Sequence, residues 1–255
     1  MHTASPLRSL ARLCAEAGIP YPADRPDLAI EGITADSRKV RPGWAFVAYR
    51  GVELDGHRFV SDALQRGAAA VISERQLSAL PVLSLVVPNG RQAFAHLCSA
   101  WYGHPSRALT LIGVTGTDGK TTTTNLLFHI LKAAGLQTSM ISTVNAVIGH
   151  LTLDTGLHTT TPDADDVQRY LAQMRDAGTT HCVMEVTSHG LAQHRVDGCD
   201  FDVAVVTNIT HEHLDLHGSR EAYRTAKGRL FDMARAHVLN ADDTFSFNYL
   251  LGKPA

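Results

Sequence analysis

The chain has 255 residues, 44% of them hydrophobic and 19% charged, and a formal net charge of −2 at pH 7. That is an ordinary globular balance, long enough for two domains or one large α/β domain, and the scattered Lys and Arg give no case for a nucleic acid or an anionic membrane as partner. No apolar run is long enough to span a bilayer, and the amphipathic N-terminus lacks a signal peptide's hydrophobic region. Cys14, Cys98, Cys182 and Cys199 lie far apart with no C-x-x-C pair, which argues against structural zinc and disulfides and for a reducing cytoplasm.

Ser5-Pro6 reads as a cap and first-turn proline of a helix whose face is Leu7, Leu10, Cys14 and Ala17 and which Gly18 ends. A short strand is expected over 29–34, then Asp36-Ser37-Arg38, a turn at 41–43 and a strand over 44–49. A helix ending near Gly67, strands over 69–72 and 82–87, and a helix over 92–102 complete a small α/β domain, residues 1–103. Residues 103–107 read as a linker to a second domain, 108–255.

That domain opens with LTLIGVTGTDGKTTTT: an apolar strand over 109–114, a glycine-punctuated turn through Gly116, Thr117, Asp118 and Gly119, then Lys120, Thr121 and Thr122 heading a helical pattern. Strand, loop and helix in this order build a phosphate cradle, with backbone N–H groups turned inward and a lysine for the outer phosphates. The hydroxyl after the lysine, on Thr121, is placed to ligate Mg²⁺. The usual G-x-x-x-x-G-K-[ST] pattern would put its first glycine at Val114, whereas this chain has Gly113. Beyond it, a strand over 139–143, a helix capped by Thr161-Pro162 with the face Val167, Tyr170, Leu171 and Met174, strands over 181–186 and 203–209, a helix over 219–234 and a strand from 237 alternate regularly. Such alternation favours a mostly parallel, doubly wound sheet, whose ligands gather at the carboxyl ends of strands.

Glu185 falls where an apolar strand runs out, so its carboxylate should meet a cation: either Mg²⁺ beside Thr121 or a structural ion pair. His211, His213 and His217 cluster with Glu212 and Asp215, but Asp215 breaks the zinc motif H-E-x-x-H, and loop histidines often have no metal. Lys227 shares a helix face with Tyr223 and Phe231. It either snorkels to solvent or is a partly buried amine open to covalent chemistry, such as CO₂ capture as a carbamate.

GVTGTDGKTTTT, TTTPDADD, MEVTSHGLAQHRVDG, TNITHEHLDLHG and EAYRTAKGRLF together resemble the ATP-dependent Mur ligases of peptidoglycan precursor synthesis, from about Ala35 onward. The likeness is strongest to the branch that adds the third peptide residue to UDP-MurNAc-L-Ala-D-Glu. It implies that Gly116 to Thr122 and Asn208 bind ATP, with Lys120 on the transferred phosphoryl group and Thr121 and Glu185 on one magnesium. It further implies a second magnesium on His213 and a carbamylated Lys227, which makes Lys120, Glu185, His213 and Lys227 the catalytic set. Thr159, Thr160, Thr161, Thr187, Ser188, Gln193 and Arg195 would contact the muramoyl dipeptide and its diphosphate; Thr159 stands where many relatives have asparagine. Asp36-Ser37-Arg38 resembles the uridine-binding loop, with Ser37 the direct contact. The family's own P-loop carries the shifted glycine.

The expected protein is therefore a cytoplasmic monomer acting on the UDP-muramoyl dipeptide, ATP and an amino-acid acceptor, diaminopimelate or lysine. Family members are considerably longer, with a C-terminal domain that binds the acceptor, so the chain is expected to end inside the central domain and to ligate poorly or not at all alone. Other readings are a non-catalytic module that binds UDP-muramoyl-peptide or ATP, an amide ligase of the folylpolyglutamate or cyanophycin synthetase type, and a metal hydrolase built on 211–217.

Overall fold

The computed structural model describes residues 7–254 except 53, 79, 144, 150, 155–160 and 211–218. The chain divides into two compact units, Met1–Gly103 and His104–Ala255.

The first unit has strands β1 (Arg8–Ser9), β2 (Ala29–Ile30), β3 (Gly32–Thr34), β4 (Trp44–Ala48), β5 (Ala70–Ser73) and β6 (Leu83–Val86), and helices α1 (Leu10–Glu16), α2 (Val60–Gln65) and α3 (Gly90–Trp101). Strands β3-β4-β5-β6 make a parallel sheet and β1-β2 an antiparallel ribbon. The strand expected over 29–34 thus divides at Glu31. Gly32 pairs with Trp44, and a Cβ on it would meet the indole at 2.4–2.8 Å, so the aromatic ring packs where a side chain would have continued the strand. Helix α1 starts later than expected. Its cap is Ser9, whose hydroxyl accepts from Arg12 N at 3.0 Å, and Leu7 lies outside the helix, exposed. The expected Ser5-Pro6 cap lies outside the described residues.

The second unit has strands β7 (Thr110–Thr115), β8 (Thr138–Ile141), β9 (Asn145–Ile148), β10 (Leu151–Asp154), β11 (His181–Glu185), β12 (Phe201–Val206) and β13 (Ala234–Val238). Its helices are α4 (Lys120–Ala133), α5 (Ala164–Asp176), α6 (Ser188–Ala192), α7 (Arg220–Asp232) and α8 (Thr244–Leu251). The sheet order is β10-β9-β8-β11-β7-β12-β13, parallel throughout except for β9 and β10. From β7 the chain winds first toward β8, then returns through β11 to β12 and β13, so direction reverses about β7. This is the mostly parallel, doubly wound α/β sheet expected, and the reversal places a crevice at the carboxyl ends of the central strands. There the register sets Glu185 of β11 against Val114, and Val206 of β12 against Thr115.

Several boundaries differ from the sequence reading. The β9-β10 hairpin was not expected; Gly149, at φ +58°, makes its turn. Helix α5 is capped at Asp163, not at Thr161-Pro162, because Thr161 is turned to β11's end as described below. Strand β12 stops at Val206, since the next residues bend toward the P-loop. Strand β13 starts at Ala234, inside the span expected to be helical, because it pairs with β12 from Phe201 onward. The short α6 and α8 were not foreseen. Arg224 lies over the rings of Phe245 and Tyr249 at 4.3 and 4.4 Å, which fastens α8 to α7. The apolar face Val167, Tyr170, Leu171 and Met174 is buried as its spacing predicts, in a core shared with Leu111, Cys182, Met184 and Phe201.

Candidate active site

The loop after β7 owes its shape to two glycines. Gly119 sits at φ +75° as the residue before α4, a left-handed conformation costly to other residues. Gly116 lies so close to Thr207 that a Cβ would stand 1.8 Å from its hydroxyl oxygen. Gly113 serves packing instead: its missing Cβ leaves room for Leu230 and Phe201, and Val114 at the expected glycine position is fully buried. The end of β12 braces the loop. Thr117 N donates to Asn208 O (2.8 Å), Asp118 N to Asn208 Oδ1 (3.0 Å), and the Thr207 hydroxyl to Asp118 O (2.6 Å). The amides of Thr117 and Asp118 are therefore spent on Asn208. What remains for an anion are the first amides of α4, from Gly119 to Thr122, which have no partner within the helix, together with its dipole. Lys120 Nζ lies over the loop, donating to Thr117 O at 2.7 Å.

Glu185 is buried (1% exposed) beside this helix start. The Thr121 hydroxyl lies 3.2 and 3.0 Å from its two oxygens, while Thr143 donates both its amide (3.1 Å) and its hydroxyl (2.9 Å) to Oε2. The structural ion pair weighed from the sequence is not what holds this carboxylate: its partners among the described residues are hydroxyls and an amide. Oxygen donors from one carboxylate and one hydroxyl, next to a phosphate cradle, suit Mg²⁺, which takes few protein ligands and completes its shell with phosphate and water.

Lys227 does not snorkel. It is 1% exposed, with Nζ donating to Gly116 O at 2.5 Å and standing 4.5 Å from the centre of the Tyr223 ring. The buried Tyr223 hydroxyl lies 3.3 Å from Thr117 Oγ1, which accepts from Thr210 N at 2.9 Å. Helix α7 is thereby tied to the P-loop at two points. His211, His213 and His217, with Glu212 and Asp215, lie outside the described residues, as do Thr159 and Thr160.

A second cluster forms where β11 leads into α6. Thr187 caps α6, accepting from Gly190 N, and its hydroxyl lies 2.9 Å from that of Thr161, which also accepts from Thr187 N (3.0 Å). Arg195 donates to Thr161 O (2.6 Å) and to Gln193 Oε1 (2.8 and 3.1 Å), and its Nε lies 3.3 Å from Asp163. Ser188 is buried in the same turn. The structure so brings together Thr161, Thr187, Ser188, Gln193 and Arg195, drawn from two separate stretches of sequence. The Arg229 guanidinium donates to Leu191 O (2.8 Å) and to both oxygens of Asp197 (3.0 Å each), which links α7 to this turn as well.

In the first unit, Ser37, Arg38, Tyr49, Leu54, Gly56 and Phe59 line a cleft of about 310 Å³, within the roughly 300–1,000 Å³ usual for small-ligand sites. Asp36 pairs with Arg38 through both carboxylate oxygens (2.9 and 2.8 Å), and the Ser37 hydroxyl holds the Asp62 carboxyl below its ordinary value.

Thr143, Thr207 and Asp243 are not among the residues that the sequence singles out, and Tyr223 is named there only as a neighbour of Lys227 on its helix face. Thr143 could have been found, since it stands just past the end of a parallel strand while Glu185 stands at the end of the neighbouring one; the others announce themselves only through packing. Burial pushes the Asp243 carboxyl up, but the Ser246 hydroxyl and the amides of Ile209, Ser246 and Phe245 outweigh it and hold it below the ordinary 3.8. A lowered folded value means a contribution present above the ordinary carboxylate range and lost as pH falls through the folded value. Asp243→Asn is therefore expected to melt below wild type at pH 7, with the gap closing below about pH 4; thermal melts between pH 7 and 3 check this, and a constant gap contradicts it.

Strand, phosphate-type loop and buried acidic partner define a P-loop nucleotide fold. Residues 114–253 match the family model described as the Mur ligase middle domain, and residues 29–102 that described as the Mur ligase family, catalytic domain. The chain is 44% identical, over 96% of its length and 51% of the relative's, to a UDP-N-acetylmuramyl-tripeptide synthetase of Roseiflexus sp.. It is 43% identical, over 87% and 46%, to a UDP-N-acetylmuramoyl-L-alanyl-D-glutamate–2,6-diaminopimelate ligase of Caldanaerobacter subterraneus. A solved structure of a ligase of that second description superposes with a TM-score of 0.82 at 30% identity, over 96% of this chain and 49% of that one. The MurF ligase of Thermotoga maritima in complex with ADP gives 0.56 at 26%, over 86% and 48%. The chain belongs to the Mur ligase family, and it spans about half the length of the curated relatives it matches.

Proposed function

We propose that the chain forms the uridine-nucleotide and ATP-binding parts of a MurE-type ligase, a cytoplasmic monomer that adds the third amino acid, diaminopimelate or lysine, to UDP-MurNAc-L-Ala-D-Glu. The observation that carries this reading is the meeting of Thr121 and the buried Glu185 at the P-loop's helix start, with the Arg195 cluster at the end of the same strand as Glu185. In this reading the cleft at Ser37 takes the uridine, and Thr159 and Thr160 join Thr161, Thr187, Ser188, Gln193 and Arg195 on the muramoyl dipeptide.

A carboxylate does not acylate an amine in water because oxide is a poor leaving group. The D-glutamyl γ-carboxylate attacks the γ-phosphorus of ATP, the bond to the β,γ-bridging oxygen breaks, and ADP leaves an acyl phosphate behind. The acceptor amine then adds to the acyl carbon, and the tetrahedral intermediate collapses with loss of phosphate to the amide. The chain's part is positioning and charge. The amides of 119–122 and Lys120 hold the phosphates, and Arg195 orients the substrate anion. Mg²⁺ on Thr121 and Glu185 would supply charge neutralisation at the phosphates. Lys227, as a carbamate formed from its neutral amine and CO₂ with loss of a proton, would hold a second Mg²⁺ with His213. The carbamate nitrogen keeps one N–H, so its bond to Gly116 O can persist.

Calorimetric titration with a non-hydrolysable ATP analogue and Mg²⁺ tests the nucleotide half. Saturable binding that Lys120→Ala weakens severely is expected; equal binding by that variant would overturn the assignment of this loop.

A further inference from the structure

Glu185 carries an asymmetry that the reading above does not use. Of its two oxygens, Oε2 accepts the Thr143 amide, the Thr143 hydroxyl and a share of the Thr121 hydroxyl, whereas Oε1 accepts, among the described residues, only that shared hydroxyl at 3.2 Å. A carboxylate offers about four acceptor sites. Oε2 is thus saturated by protein, and Oε1 is the oxygen left for a further partner. The two donors on Oε2 come from one residue, so they also fix the rotation of the carboxylate about its last bond. Thr143 lies just past β8, the neighbour of β11 in the sheet, which makes the carboxylate's orientation a property of the sheet rather than of its own side-chain torsions alone.

We infer that Thr143 is a positioning residue: it clamps Oε2 of Glu185 and presents Oε1 to the divalent cation that accompanies the nucleotide. The inference rests on the reading of Glu185 as a magnesium ligand. Losing the hydroxyl should cost about tenfold in cation-dependent affinity, the low end of what a hydrogen bond to a charged group contributes.

The test measures the affinity of a non-hydrolysable ATP analogue with and without Mg²⁺, and the ratio is the readout. Wild type, Glu185→Gln, Thr143→Val, Thr143→Ala and Thr143→Ser are compared, with thermal melts to establish folding. The expected result is a Mg²⁺-dependent gain in wild type, lost in Glu185→Gln, reduced about tenfold in Thr143→Val and Thr143→Ala, and restored in Thr143→Ser, each gain being the ratio to that variant's own metal-free affinity. A gain lost in Glu185→Gln but intact in Thr143→Val and Thr143→Ala would overturn the inference and leave the magnesium reading standing. Failure of Thr143→Ser to restore the gain would also overturn it, assigning Thr143 a packing role. A gain that Glu185→Gln does not touch would overturn the reading itself, and this inference with it.

Discussion

Gly116→Ala is expected to abolish measurable nucleotide binding and to destabilise the His104–Ala255 unit by about 1–3 kcal/mol. The added methyl would stand 1.8 Å from Thr207 Oγ1, which is itself held by Asp118 O at 2.6 Å, and φ at this residue is +155°. Neither neighbour can yield cheaply. Moving Thr207 releases the brace on Asp118, and moving Gly116 pulls its carbonyl from Lys227 Nζ. Either shift misaligns the first amides of α4, which must all reach one ligand together. Gly135→Ala is the control: φ is +84° but nothing lies within 4 Å of the new Cβ, so strain of about 1 kcal/mol is expected with nucleotide binding intact. Calorimetry and thermal melts on the two variants check both effects. Wild-type nucleotide affinity in Gly116→Ala would mean that this loop does not hold the phosphates.

The second large effect is at Arg195. Its guanidinium spans Thr161 O and Gln193 Oε1 and neighbours Asp163. Arg195→Ala is expected to weaken UDP-MurNAc-L-Ala-D-Glu binding about a hundredfold, combining loss of a charge-assisted contact with release of the 161–163 turn that it holds. Arg195→Lys should not restore affinity, because an ammonium carries its three N–H donors on one atom and cannot reproduce the planar fork that reaches Thr161 O and Gln193 Oε1 at once. Nucleotide affinity should be little changed in either variant, since the P-loop is braced from β12 and α7 instead. Titration of each ligand into each variant separates these outcomes; full rescue by lysine would contradict the bidentate role.

The sequence made the sheet and its P-loop legible because both depend on local signals. Apolar runs ending in polar residues mark parallel strands, and the Gly-Lys-Thr stretch marks the helix start. It failed where tertiary partners override a local preference. Thr161-Pro162 looks like a helix cap, yet Thr161 turns its hydroxyl to Thr187, and Asp163 takes the helix start. Residues 207–209 continue an apolar strand on paper, but Thr207 and Asn208 leave the sheet to brace the loop. Lys227 shows the limit most clearly: spacing put it on an apolar face and could not say whether it reached solvent. Only the packing of Tyr223 and the carbonyl of Gly116 around it show that it is buried. Glu185 was located rightly as a buried acid, but its immediate partners include Thr143, which no motif connects to it.

The central claim is that one protein carries both a nucleotide loop and a muramoyl-dipeptide site. Its most direct test is calorimetric titration of UDP-MurNAc-L-Ala-D-Glu into the purified chain with Mg²⁺ and a non-hydrolysable ATP analogue present. The account predicts saturable one-site binding, lost in Arg195→Ala and retained in Gly135→Ala. No binding by folded protein that still binds the analogue would contradict it.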